Sequence, residues 1–163
     1  MNTSWPIGLH ATCLPESTGA LEWLINTALA THARVHVVSY EVGKEILAQM
    51  FQDKGGADVL HTPGGEYRLP CISVGEPDSL DLLFAFDGTE PQPSPGPASE
   101  VCDLLLIHMA ALGPRSPKEL ADLAEKHGIP IVGTWQTTRE GKMPPGIFPH
   151  AKSYNALPTI TVH

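Results

Sequence analysis

CDLLLIHMAALGPRSPKELADLAEKHGIPIVGT, the stretch from Cys102 to Thr134, decides the fold prediction. It opens with an apolar run and continues with Ser116-Pro117-Lys118-Glu119, a capping box with proline at the first helical position. Apolar residues then recur at helical spacing until Gly128, and a second apolar run follows over 129–134. A strand, a capped helix and a second strand in this order form a βαβ unit.

The first part of this unit allows two interpretations. Residues 102–108 are typical of a buried strand, but Leu104, Leu105 and His108 also fit the spacing of a helix that would end at Gly113. The capped helix that follows favours the strand, because a strand–helix–strand unit accounts for the whole stretch.

The beginning of the chain shows the same alternation of elements. The apolar run Ile7–Leu14 predicts a strand, and helical spacing over 21–29 predicts a helix that ends near His32. Arg34–Tyr40 is rich in β-branched residues and predicts a second strand, whose Ser39 is expected to cap another helix. The apolar face of that helix consists of Val42, Ile46, Leu47, Met50 and Phe51.

The middle of the chain differs from its two ends. Residues 57–62 and 67–74 flank Pro63-Gly64-Gly65, which predicts a hairpin. Leu80–Phe86 is expected to form a further strand, and the Pro/Gly-rich stretch 88–99 an exposed loop.

The last part of the chain contains few periodic segments. Four prolines make 137–158 an irregular tail, and alternation over 159–162 predicts an edge strand. Together these elements predict one α/β domain over residues 1–163. We expect a Rossmann-like or flavodoxin-like layered fold with a mostly parallel central sheet, a mid-chain hairpin and three or four helices.

Charge and composition exclude several classes of partner. The 163 residues include 18 acidic and 10 basic side chains, a net charge of −8, and the basic ones form no cluster. Non-specific nucleic-acid binding needs a basic surface and is therefore not expected. No signal peptide or membrane-spanning run is apparent, and the three cysteines lack C-x-x-C spacing. We expect a cytoplasmic protein without a membrane partner.

The predicted sheet also indicates where a site would lie. Ligands of open parallel sheets bind outside the carboxyl ends of the strands. Acid–base groups at those ends are the candidate catalytic residues: Glu41, Asp87 and His108. Other polar, thiol and aromatic side chains there are candidate ligand-binding residues: Cys13, Glu16, Ser17, Thr18, Ser39, Tyr40, Trp135 and Gln136. The eight histidines include no H-x-H or H-E-x-x-H pattern, and no metal and no cofactor is assigned.

Two functions remain open at this point. The first is binding of an anionic or nucleotide-like small molecule, with hydrolase or transferase activity as an extension; no P-loop or dinucleotide motif supports it, and Ser17 and Thr18 fit N-capping as well as phosphate binding. The second is a non-enzymatic homo-oligomer or subunit of a larger complex. Its support is a charged content of only 17% and three tryptophans predicted to be exposed: Trp5, Trp23 and Trp135.

Overall fold

A computed structural model describes residues 5–31, 33–55, 60–61, 67–69, 72–84, 102–137, 146–147 and 150–156. The strands are β1 (Gly8–Leu14), β2 (Val35–Ser39), β3 (Leu60–His61), β4 (Tyr67–Leu69), β5 (Ile72–Gly75), β6 (Leu104–His108), β7 (Pro130–Gln136) and β8 (Ser153–Ala156). The helices are α1 (Ser17–Ala30), α2 (Lys44–Gly55), α3 (Ser79–Leu83) and α4 (Pro117–His127), with a 3-10 turn at Ala110–Leu112.

All eight strands belong to one sheet in the order β3-β4-β5-β2-β6-β7-β1-β8. The six from β5 to β8 in this order run parallel, whereas β4 is antiparallel to β5 and β3 to β4. The predicted α/β layered fold is therefore confirmed. Strands β1 and β2 are separated by β6 and β7, while the Rossmann and flavodoxin orders place the first two strands side by side.

Helices α1 and α2 cover one face of the sheet, here named the α1 face. Leu24 and Ile25 of α1 and Phe51 of α2 are fully buried there. They pack on alternate strand residues: Val35, Val37, Leu104, Leu106 and Val132. Burying each large apolar side chain stabilises the fold by about 1.5–3 kcal/mol, so the sheet and these helices depend on each other.

Helices α3 and α4 cover the opposite face, here named the α4 face. Leu80 of α3 and Leu120 of α4 are buried in a second core. The strand residues of this core are the odd-numbered set of β1, β6 and β7: Leu9, Ala11, Cys13, Leu105, Ile107, Ile131 and Trp135. The two cores make the molecule a three-layer structure.

The capped helix that organised the sequence prediction is confirmed as α4. The Ser116 hydroxyl accepts a hydrogen bond from the Glu119 N–H at 3.2 Å, and the Glu119 carboxylate accepts one from the Ser116 N–H at 3.3 Å. At the other end Gly128 takes a left-handed conformation (φ 68°), which glycine adopts without a steric penalty. Residues 104–108 form strand β6, so the strand interpretation of that run is correct.

The strand predicted over Leu80–Phe86 is wrong, because the first part of this segment is helix α3. The Ser79 N–H donates to the Glu76 carbonyl at 2.9 Å and begins the turn, and the Phe84 N–H donates to the Leu80 carbonyl at 2.9 Å. Leu80 and Leu83 both point into the core at a spacing of three residues. A five-residue helix shows too little periodicity to be distinguished from a short strand.

Three other predictions need correction, and three more fall outside the described residues. The strand predicted over 67–74 is two antiparallel strands, β4 and β5. Ile46 is 58% exposed, because the buried face of α2 is the one that carries Leu47, Ala48 and Phe51. Strand β8 lies inside the stretch expected to be irregular. The predicted turn at 63–65, the loop at 88–99 and the edge strand at 159–162 lie outside the described residues.

Candidate functional site

At the carboxyl edge of the sheet, the chain leaves neighbouring strands towards opposite faces. After β1 and β2 the chain turns onto the α1 face, where it forms α1 and α2. After β6 and β7 it turns onto the α4 face, where α4 and Ile147 pack. Such switch points leave a crevice outside the strand ends. On the α1 face, the ends of β6 and β7 therefore lie between the β1–α1 loop and the β2–α2 turn.

Four polar side chains form a continuous row across the sheet at this edge. Ser39 pairs in register with His108, and Thr12 with Thr134; Ile107 pairs with Gly133, which brings His108 beside Thr134. All four lie on the α1 face by strand alternation and are at most 3% exposed. We name Ser39, His108, Thr134 and Thr12 the polar row.

One hydrogen bond fixes the tautomer of His108. The Ser39 Oγ accepts from the N–H groups of Glu41 at 3.0 Å and Val42 at 2.9 Å, which uses both of its lone pairs. Its own proton therefore points to His108 Nδ1, which lies 2.8 Å away. His108 Nδ1 is the acceptor, so the neutral ring carries its proton on Nε2. These bonds also show that Ser39 shapes the β2–α2 turn and does not cap α2, which begins five residues later.

The turn after β6 is held in an uncommon backbone conformation. Met109 has φ 56° and ψ 53°, a left-handed conformation that costs a non-glycine residue about 1–2 kcal/mol. Its N–H donates to the Thr134 Oγ1 at 2.8 Å in a buried environment, which holds the turn in place. The strained turn diverts the chain to the α4 face directly after His108. Strain of this kind concentrates at functional sites.

The polar row ends at Thr12 in β1, the strand that leads into α1. The N-cap residue of α1 is Glu16, whose side chain forms no capping hydrogen bond. The first helical bond runs from the Ala20 N–H to the Glu16 carbonyl at 3.1 Å, so the N–H groups of residues 17–19 have no partner within the helix. Thr12 lies two residues before the end of β1, and its side chain is 3% exposed.

Comparison of the chain with known protein families, curated proteins and solved structures finds no match. The geometry of this edge therefore carries the functional argument. No group of three or more His, Cys, Asp or Glu side chains suited to a metal ion occurs among the described residues. None of the described helices combines the length and apolar character needed to cross a membrane.

The structure brings part of the predicted site together on the α1 face. Ser39 and His108 lie in the polar row, and Glu41 follows Ser39 with an exposed side chain. Glu16 and Thr18 are exposed at the start of α1, and Ser17 is its first helical residue. The expectation that Ser17 or Thr18 caps this helix is wrong, since Glu16 occupies the N-cap position. The Gln136 Nε2 donates to the Pro15 carbonyl at 2.8 Å and joins the end of β7 to the β1–α1 loop. Asp87 lies outside the described residues.

Three other predicted site residues lie on the α4 face. Cys13 is fully buried in that core, and its burial raises the pKa of the thiol to about 11. The Tyr40 ring packs against Gly113, where an added Cβ would lie 2.4 Å from the ring. Trp135 is 4% exposed, which corrects the expectation of an exposed indole. These side chains are separated by the sheet from the polar row.

Thr12 is the residue of this edge that sequence reasoning missed. It lies inside an apolar run, Gly8–Leu14, in which every residue is buried. Strands covered on both faces lack the apolar–polar alternation that would assign each side chain to a face. The signal that was available is the threonine itself, because a hydroxyl near the end of a buried parallel strand requires a hydrogen-bonding partner.

Proposed function

We propose that this chain binds a small phosphate-bearing molecule on the α1 face of the carboxyl edge, between the start of α1 and the polar row. The observation that carries the proposal is the position of Thr12, a 3% exposed threonine near the end of β1, on the face and at the edge of the sheet where α1 begins with N–H groups that have no partner within the helix. A hydroxyl in this position can donate a hydrogen bond to a ligand oxygen atom that the helix N-terminus also attracts.

The donors available at this edge suit an anion. The N-terminus of a 14-residue helix carries a partial positive charge and three N–H groups without a partner in the helix, which together favour phosphate oxygens. The chain has a net charge of −8, and Glu16 and Glu41 are exposed on either side of the site. These carboxylates repel a free anion, so backbone donors at short range supply the attraction.

The same geometry supports binding more than catalysis. Ser39 donates a hydrogen bond to His108 and accepts one from each of two backbone N–H groups, so both lone pairs of its oxygen are engaged in the turn and it is a poor nucleophile. Hydrolase or transferase chemistry would need an activated group that reaches the ligand. Glu41 and His108 remain the candidate acid–base groups for such chemistry, and the proposal itself is limited to binding.

Thermal unfolding with added ligands tests the proposal. Inorganic phosphate, AMP and ATP are compared with adenosine, which has the same base and sugar without phosphate. A ligand at one hundred times its Kd stabilises the native state by about 2.7 kcal/mol, which corresponds to a Tm increase of roughly 5–10 °C for a chain of this size. No shift with phosphate or with either nucleotide would overturn the proposal.

A matched pair of variants locates the binding. Thr12→Val keeps the volume and β-branching of the side chain and removes the hydroxyl, so we expect it to weaken phosphate-dependent stabilisation at least about tenfold in Kd. Thr27→Val is the control, because the Thr27 hydroxyl bonds the Trp23 carbonyl within α1 at 2.8 Å, far along the helix from its start. Equal ligand affinity in both variants would place the ligand elsewhere.

Self-association is the competing function, and the structure supports it less than it supports ligand binding. Trp135 is buried, while Trp5 and Trp23 are half-buried against the α1-face core, so the tryptophans do not form an exposed surface. The exposed large hydrophobics among the described residues lie in three separate parts of the chain: Ile7, Ile46 and Leu112. A mass above that of the monomer in light scattering, together with no ligand response, would favour assembly over binding.

A further inference from the structure

A cavity lies at the carboxyl edge of the sheet on the α4 face, opposite the proposed phosphate site. Its volume is about 330 Å³. One wall is the connection from the 3-10 turn to α4, formed by Gly113–Pro117 with Ala111 beside it. Trp135 and Ile147 form the rest of the lining. We infer that this cavity binds a small, flat, uncharged aromatic molecule.

The side chain of Trp135 is held rigidly in the lining. A Cβ added to Gly133 would lie 2.6 Å from two ring atoms of Trp135 and 3.5 Å from the Ala110 side chain. The indole therefore packs against the strand at a position that only glycine leaves open. Trp135 is 4% exposed, so a ligand would meet a small, fixed part of the indole, and no rotamer freedom of this side chain is lost when the ligand packs against it.

The wall of the cavity is also rigid and has few free donors. Pro114 and Pro117 have restricted backbones and no N–H groups. The Gly113 N–H donates to the Ala110 carbonyl at 3.1 Å, and the Ser116 N–H donates to the Glu119 carboxylate at 3.3 Å. Unlike α1, helix α4 has a capped N-terminus, so this wall lacks the free helical donors that would attract phosphate.

The one charged group in the lining is already neutralised. The Arg115 Nη2 donates to the Asp81 Oδ1 at 2.6 Å, and the guanidinium lies 5.4 Å from the centre of the Phe84 ring. An anionic ligand would have to compete with the Asp81 carboxylate for this cation. The lining therefore favours a neutral ring over a charged one, as in pockets that are mostly apolar with few polar groups.

The size of the cavity limits the ligand to one or two rings. An engineered apolar cavity of about 150 Å³ accommodates benzene, so about 330 Å³ leaves room for a fused bicyclic molecule. This inference does not depend on the phosphate site, because the sheet separates the two. A ligand that bears phosphate without a ring tests only the first site, and a ring without phosphate tests only this one.

The test uses indole as the neutral probe, with indole-3-acetate and tryptamine as its acidic and basic counterparts. Two-dimensional ¹H–¹⁵N spectra of the full chain are recorded over a titration of each probe. We expect saturable shifts confined to residues 111–117, Trp135 and its neighbours, with indole binding several-fold more tightly than either charged probe. The absence of saturable shifts with all three probes, or tighter binding of a charged probe, would overturn the inference.

A pair of neighbouring variants tests the location. Ala111→Phe places a ring at the mouth of the cavity from an exposed position, and we expect it to raise the indole Kd at least about tenfold. Leu112→Phe is the control, because Leu112 is 59% exposed on the same 3-10 turn and does not line the cavity. The inference fails if both variants bind indole as the original chain does, and the folded spectrum of each variant shows whether the comparison is valid.

Discussion

The Ser39 hydroxyl and the His108 Nδ1 lie 2.8 Å apart and join the carboxyl ends of β2 and β6, although 69 residues separate them in the chain. Ser39→Ala would remove this bond and the acceptor for two backbone N–H groups. Because a buried acceptor without a donor costs about 1–3 kcal/mol, we expect the free energy of unfolding to fall by that amount.

Urea denaturation measures this change. Thr18→Ala is the control, since Thr18 is exposed in the first turn of α1 and a surface change of this kind alters stability by about 0.5 kcal/mol or less. If Ser39→Ala cost no more than the control, the polar row would not stabilise the carboxyl edge.

The amino ends of the same two strands are joined by an ion pair that predicts acid sensitivity. Asp103 accepts from the Arg34 Nε at 3.1 Å, its Nη2 at 3.0 Å and its backbone N–H at 3.0 Å. The side-chain hydrogen bonds from Arg34 lower the pKa of Asp103. A carboxyl with a lowered folded pKa contributes stability above the unfolded pKa of about 3.9 and loses it as the pH falls through the folded value.

Asp103→Asn tests this pair. At pH 7 we expect a loss of about 1 kcal/mol, because Arg34 is 43% exposed and water screens the attraction. The difference from the original chain should shrink as the pH falls from 5 towards roughly 2, measured as urea midpoints at each pH. Asp122→Asn, which breaks an exposed pair with Lys118, is the control and should show little effect at any pH. A difference that stays constant over this range would contradict the assignment.

The close approach of Gly133 to Trp135 predicts opposite effects for two glycine substitutions. Gly133→Ala places a methyl group 2.6 Å from a buried indole, so we expect a loss of about 1–3 kcal/mol from overpacking. Gly19→Ala in α1 meets no atom within 4 Å and should stabilise the helix by about 0.5–1 kcal/mol. Urea midpoints and near-ultraviolet circular dichroism check both, and equal signs for the two variants would contradict the packing of Trp135.

Much of the layered architecture follows from sequence periodicity. Strands β1, β2, β6 and β7 and helices α1, α2 and α4 each extend over enough residues to show their period or their capping signals. Helix α3 has five residues and β8 four, which is too short for either signal. Whether these segments form a helix or a strand depends on their packing against the core and on the neighbouring strand, and the local sequence contains no information on either.

The sequence predicts at which edge of the sheet the candidate site lies, but not on which face of the sheet. The strand-end rule selected Ser39 and His108 correctly as neighbours on adjacent strands. It also selected Cys13 and Trp135, which lie on the opposite side of the sheet. Adjacent residues such as Thr12 and Cys13 point to opposite faces of the sheet. Because β1 is covered on both faces, its sequence lacks the alternation that would show which residue points to which face.

The last prediction concerns His127, whose two ring nitrogens are buried and form no hydrogen bond. The ring lies 5.2 Å from the Phe84 ring at the end of α4 and is 3% exposed. Burial, and secondarily the charge of Lys126, lowers the pKa of His127 below 6.5. His127→Leu places an apolar side chain at this position and removes both unsatisfied nitrogens. We therefore expect the free energy of unfolding to rise by about 1 kcal/mol at pH 7.

The pH dependence of that gain distinguishes this cause from a simple packing effect. Below the unfolded pKa of 6.5 the unfolded chain binds a proton at His127 that the native state resists, so the original chain loses stability as the pH falls from 7 to 5. The leucine variant lacks this loss, and its advantage should therefore grow over the same interval in paired urea titrations. An advantage that stays constant or shrinks would show that the native ring takes up a proton without penalty, and that His127 is solvated in the folded protein.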